Sequence, residues 1–281
     1  MKNKTVLLLL NRDTEDHYIE EVAQASIDLN LHVSFLLMNS GVSMPPMIYG
    51  ASLYGTIDVA ENWQQMMNEA LALQRKRVEE IETILARIGG SADVQAMLCA
   101  HTEVSDHVAW RARVCDLAVV APNLREAPKI LSEAAYGVLF KSPIGLMLNA
   151  LPTLQPKRVM IAWDSSYAAS TAVHAAVPYL MAADAVTIVC FDPETSRDKA
   201  GADPGADVAT WLSHRGCRVS VSQDPSGGKE IAHCIQDRAL ELGADLVVLG
   251  AYGHSRLVQA VFGGTTRAMM EQATLPILMA H

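Results

Sequence analysis

The 281-residue sequence predicts an α/β protein built as two parallel sheets in tandem, each covered by helices on both faces. Three observations carry this. Short unbroken apolar runs, the pattern of strands buried on both sides, alternate with helix-like stretches. Half of the residues are hydrophobic, enough to fill a core. The landmarks of the first half also return, in order, in the second.

The strand-like runs are residues 5–10 (TVLLLL), 116–120 (DLAVV), 158–162 (RVMIA), 185–190 (AVTIVC) and 245–249 (DLVVL). The apolar stretch 167–191 is broken by His174, Pro178 and Asp184, so it reads as helix, turn and strand and not as a bilayer span. Ala206–Arg215, Lys229–Leu242 and Arg267–Gln272 read as helices. Ser142-Pro143-Ile144-Gly145-Leu146-Met147 is echoed by Leu275-Pro276-Ile277-Leu278-Met279. Val6 matches Val159, Asp116 matches Asp245 and Pro143 matches Pro276, with offsets of 153, 129 and 133. The first copy therefore carries 24 extra residues (153 − 129), which fall within 40–90. They comprise a Gly/Pro/Ser/Tyr loop, Ser40 to Gly55, and a long helical stretch, Ile57 to Ile88. Val59, Trp63, Met66, Ala70, Leu73, Ile81, Ile84 and Ile88 form its stripe, expected to pack on the core or between domains, with partner binding as the alternative. Leu148 to Pro156 has two prolines and no period. It is the expected linker between a domain at 1–150 and a second at 156–281.

Composition narrows the function. The formal charge is −9, and the halves carry 12 basic against 18 acidic and 10 against 13 side chains. Neither half offers the basic surface that a polynucleotide needs, and 5% aromatics argue against a base-stacking platform. No nucleic acid and no membrane is expected as partner. The apolar run Val6 to Leu10 is too short for a signal-peptide core, which points to the cytoplasm. Five cysteines, an odd number with no CxxC pair, suggest buried small hydrophobes in a reducing compartment and no zinc site.

The informative segment is 245–267, DLVVLGAYGHSRLVQAVFGGTTR. Gly250 and Gly253 follow a buried strand, at the carboxyl edge where open α/β sheets bind ligands. Gly263-Gly264-Thr265 precedes a helix, whose free N–H groups favour a phosphate, with Thr265 and Thr266 as hydroxyl donors. The spacing resembles the universal stress protein family signature G-x2-G-x9-G-[S/T], matched at Gly250, Gly253 and Gly263. Gly264 departs from it, standing where Ser or Thr is expected, and Thr265 comes one place later. Lys157 to Ser166, Gly243 to Val248 and Leu275 to Leu278 also look like family landmarks. The resemblance covers most of 156–281; over 1–150 only the arrangement of elements agrees.

The resemblance implies two tandem open five-stranded parallel sheets of the adenine nucleotide alpha hydrolase-like, Rossmann-like kind, and adenine nucleotide binding by the second. Asp164 would sit by the adenine or ribose, with Ala162 and Phe191 lining the nucleoside slot. Gly250, Gly253, Gly263, Gly264 and Thr265 would shape the phosphate loop, within reach of His254 and Ser255. The implied ligand is ATP or a shorter adenine nucleotide, with or without Mg2+. In the first half Asn11 replaces Asp164, Ala121 replaces Gly250, and Pro122 to Pro128 replace the loop. Ala134-Ala135 stand about where the glycine pair precedes the last helix. This half is expected to be structural, pairing with the second as a built-in dimer, and a homodimer of the whole chain is a further expectation.

Other motifs fall short. Ser226-Gly227-Gly228-Lys229 lacks the flanking Gly and Ser/Thr of a phosphate-binding loop, and neither GxGxxG nor GxSxG occurs. His101 and His107 have no ligand-type neighbour at metal spacing. The expected function is stress sensing or signalling through a bound nucleotide, without enzymatic turnover as the main role. The alternatives are a ligand-free interaction scaffold and, less favoured, a nucleotide-dependent transferase or ligase.

Overall fold

A computed structural model of the protein describes residues 2–41, 56–193, 203–251 and 264–281. The first half runs β1 (Thr5–Leu10), α1 (Asp16–Ile27), β2 (His32–Ser40), α2 (Thr56–Ile88), β3 (Ser91–Cys99), α3 (His101–Ala112), β4 (Leu117–Val120), a 3-10 turn (Pro122–Glu126), α4 (Pro128–Lys141) and β5 (Gly145–Leu148). The second runs β6 (Arg158–Ala162), α5 (Tyr167–Leu180), β7 (Ala185–Phe191), α6 (Ala206–Ser213), β8 (Val219–Asp224), α7 (Ile231–Leu242), β9 (Leu246–Gly250), α8 (Gly264–Glu271) and β10 (Ile277–Ala280).

The strands lie in the order β3-β2-β1-β4-β5-β10-β9-β6-β7-β8. Read outward from the middle, each half repeats one five-strand order, and every neighbouring pair within a half is parallel. The two five-stranded halves are not separate sheets. β5 pairs antiparallel with β10 and joins them into one sheet of ten strands. Leu146 faces Met279 across this join, and these residues are 133 apart, the same offset as Pro143 and Pro276. A local pseudo-two-fold axis therefore passes between equivalent residues. The join hides two strand edges that would otherwise be open to other chains.

Side chains alternate across the sheet. Val6, Leu8, Leu10, Phe35, Val159 and Ile188 face the layer formed by α1, α2, α5 and α6. Leu7, Leu9, Leu36, Met160, Val189 and Val247 face α3, α4, α7 and α8. Both layers run through both halves. Further bonds secure the join: Asn149, at φ 60°, donates from Nδ2 to the carbonyls of Gln272 (3.2 Å) and Leu275 (2.8 Å). The Phe140 ring lies 4.3 Å from that of His281.

The repeated aspartates have one role in both halves. Asp116 Oδ2 accepts the Thr5 N–H at 2.8 Å, just where β1 begins. Asp245 Oδ2 accepts the Lys157 and Arg158 N–H groups, at 2.8 and 2.9 Å, where β6 begins. Each carboxylate thus ties the foot of the fourth strand of its half to the foot of the first.

The long helix is present as α2, but its buried face differs from the expected stripe. Met66 and Leu73 are exposed, while Gln74, Arg77, Ile81 and Ile84 are buried and Val78, Leu85 and Ile88 are partly buried. Counting back from Ile81, seven residues is about 20° short of two full turns, whereas eight overshoots by about 80°. Gln74 therefore shares the face of Ile81 and Leu73 does not. Arg77 Nη2 donates to the Thr14 carbonyl and Nη1 to Asp16 at 2.7 Å, pinning α2 to the start of α1. Val59 and most of the Ser40–Gly55 loop lie outside the residues whose side chains are described. Ala134-Ala135 do not precede α4: they lie fully buried inside it, because the helix already starts at Pro128.

Gly137 of α4 is set against α3, where an added Cβ would lie 2.4 Å from the Ser105 carbonyl oxygen. Gly137→Ala is expected to destabilise the protein by about 1–3 kcal/mol in urea unfolding, through overpacking of the α3–α4 contact. Burial alone would raise the Asp116 pKa, but hydrogen bonds from Lys4 and the Thr5 N–H outweigh it and hold the carboxyl below its ordinary range. Its stabilising contribution is then present above the ordinary carboxylate pKa of about 4 and is lost as pH falls through the lowered value. Urea midpoints measured across that range should fall less steeply for Asp116→Asn than for the parent.

Candidate functional site

The carboxyl ends of β9, β6 and β7 lie side by side. Ala162 at the end of β6 sits between Leu249 of β9 and Val189 of β7 in register. Two residues later, exposed Asp164 accepts the Ser166 N–H on Oδ1 at 3.0 Å. Ser165 turns the chain at φ 62°, and Ser166 Oγ accepts the Ala169 N–H at 3.1 Å, capping α5. Phe191 ends β7, partly buried and paired with Asp224. Asp192 follows in the left-handed region, φ 44°, and its Oδ1 accepts the Ser226 N–H at 3.0 Å. Non-glycine residues at positive φ are uncommon, and here two of them shape one sheet edge.

This edge is acidic. Hydrogen bonds from the Ser226 hydroxyl and N–H hold the Asp192 carboxyl below its ordinary range. Burial, then the carboxylates of Asp164, Asp203 and Asp224, push the Cys190 thiol up to about 11. Asp224 is matched by Arg238, whose Nε lies 3.0 Å from its Oδ2. Among the described residues no group of three or more His, Cys, Asp or Glu side chains could hold a metal ion.

Of the residues singled out from the sequence, Ala162, Asp164, Phe191 and Gly250 are brought to this edge. Gly264 opens α8, with open space where its Cβ would lie, and Thr265 follows, partly buried. Gly253, His254, Ser255 and Gly263 lie outside the described residues. Gly250 has a packing reason of its own. A Cβ there would fall 2.4 Å from the Ala169 nitrogen, because the first turn of α5 rests on the end of β9.

In the first half the same edge is closed. Asp13 N donates to Asn11 Oδ1 at 3.0 Å, the same turn that Ser166 makes with Asp164. Asn123, from the 3-10 turn after β4, donates from Nδ2 to that oxygen at 2.7 Å and accepts the Thr14 hydroxyl at 2.9 Å. Asn11 is only 8% exposed. The carboxamide that replaces Asp164 is thus spent on the protein itself. Ala121, in place of Gly250, carries the Cβ that would stop such a close helix approach; α1 packs on α2 and β2, whereas α5 packs on β9 and β10. Asn123 and Thr14 were missed by sequence reasoning, since neither sits in a motif.

The model of the universal stress protein family matches residues 156–281. Residues 156–281 are a universal stress protein domain. A protein of unknown function from Pseudomonas aeruginosa PAO1 has a similar structure over 99% of this chain and 92% of its own, at 13% identity and a TM-score of 0.55. A candidate universal stress protein from Pseudomonas aeruginosa UCBPP-PA14 covers 99% and 93%, also at 13% identity and a TM-score of 0.55. A universal stress protein from Archaeoglobus fulgidus is similar over 44% of this chain and 97% of its own, at 21% identity and a TM-score of 0.33. The first two matches extend the shared fold over both halves. No curated protein matches the chain. No described helix is long and apolar enough to cross a membrane.

Asn123→Ala should leave the Asn11 and Thr14 side chains short of partners and cost about 1–3 kcal/mol in urea unfolding. An unchanged midpoint would show that this network does not hold the first-half edge together.

Proposed function

We propose that the universal stress protein domain binds an adenine nucleotide at its carboxyl edge, and that the protein uses the bound nucleotide to sense or signal stress. The observation that carries this reading is the inequality of the halves. Asn11 is locked by Asn123, while Asp164 is exposed at the matching position. Its carboxylate can accept hydrogen bonds from ribose hydroxyls or an adenine amine, with Ala162 and Phe191 beside it. The start of α8, with Gly264 and Thr265, offers backbone N–H groups and a hydroxyl to phosphate. Gly250, Gly253, His254 and Gly263 complete the proposed loop. The carboxylates nearby favour a short nucleotide, or ATP whose charge is offset by Mg2+. The role is binding and not turnover. The halves act as an intramolecular pseudo-dimer, in which the first stabilises the sheet edge of the second.

A ligand-free interaction scaffold is the second reading. It is favoured by Gly264, which lacks the family hydroxyl, and by Trp110 and Val114, which are 71% and 74% exposed at the end of α3.

Isothermal titration with ATP, ADP and AMP separates the two. Binding is expected, weakened about 10-fold or more by Asp164→Ala and unchanged by Asn11→Ala. Absence of binding at millimolar nucleotide would contradict the first reading and favour the scaffold.

A further inference from the structure

A cavity of about 490 Å3 opens between α4 of the first half and α8 of the second. Neither Asp164 nor Phe191 lines it. Its volume lies in the range of small-molecule sites. Pro128, Leu131 and Met270 give it an apolar wall.

The charges on the wall do not cancel. Lys129 and Glu133 are four residues apart on α4, so they share one helix face. Arg267 and Glu271 are similarly spaced on α8, with Nε 2.7 Å from Oε1. Each pair sums to zero, and Arg125 is left over. Its Nη2 donates to Asn149 Oδ1 and its Nη1 reaches the Pro122 carbonyl at 3.5 Å, both neutral acceptors. Its Nε is buried and makes no hydrogen bond with the described residues. Burial disfavours its charge, and no carboxylate among the described residues offsets that. A guanidinium stays charged at any ordinary pH, so a half-buried one without a counter-charge favours an anion beside it.

We infer that the cleft between α4 and α8 binds a small amphipathic anion, its carboxylate or phosphate head at Arg125 and its aliphatic body against Pro128, Leu131 and Met270. This site is separate from the proposed nucleotide site and stands whether or not a nucleotide binds.

Calorimetric titration of the full chain with octanoate, octyl phosphate and octanamide tests it. At least one of the two anions should bind saturably, and which one does identifies the head group. Octanamide should bind about 10-fold or more weakly, and Arg125→Gln should weaken anion binding by a similar factor. Arg125→Lys should keep part of it. Ser132→Trp, which fills the cavity without touching Arg125, should abolish binding while leaving the thermal midpoint near that of the parent. It tests the site even where Arg125→Gln fails to fold. No saturable binding of either anion at millimolar concentration would overturn the inference. So would octanamide binding as tightly as octanoate, or unaltered binding by a folded Arg125→Gln or Ser132→Trp protein.

Discussion

The antiparallel pairing of β5 with β10 is the contact on which the rest of the structure depends. These strands are short, four residues each, yet every residue of both is buried. Because equivalent residues Leu146 and Met279 face each other there, two copies of one fold become a single sheet with core layers continuous on both faces. The first half is necessary to the second: without it β10 would be an open, apolar edge.

That dependence allows the halves to diverge. Asp116 and Asp245 still make the same bond at the foot of each sheet, because the strands need it in both. At the opposite edge the constraint differs. Gly250 lets α5 lie on β9, and Asp164 remains at the surface. Ala121 and Asn123 turn the matching edge of the first half into packing and internal hydrogen bonds. The two ends of the strands thus separate a bond that both halves share from an edge at which they differ.

Much of this was legible in the sequence, for physical reasons. Buried central strands must be continuous apolar runs, so β1, β4, β6, β7 and β9 stood out. β3 and β8 form the outer edges of the sheet and are partly solvated, so SADVQAMLC and VSVSQD carry no such run. Offsets between equivalent residues revealed the repeat but not the join, since pairing across a pseudo-two-fold leaves no periodic trace. The helix α2 was visible, but its buried face includes Gln74 and Arg77, which a search for apolar residues passes over. For the proposed site, the glycines stood out by their spacing and Asp164 by the family resemblance. Asn123 was not, because its role comes from a turn that brings it to Asn11 from 112 residues away.

The central claim is that the two halves are one fold with unequal edges, a proposed nucleotide site in the second and an edge held by Asn11, Thr14 and Asn123 in the first. Photolabelling of the full chain with an azido-adenine nucleotide, followed by peptide mass spectrometry, addresses it most directly. The account predicts labelled peptides from 156–281 only, around Asp164, Phe191 or the 250–265 segment. Label on peptides that contain Asn11 or Asn123 would contradict it.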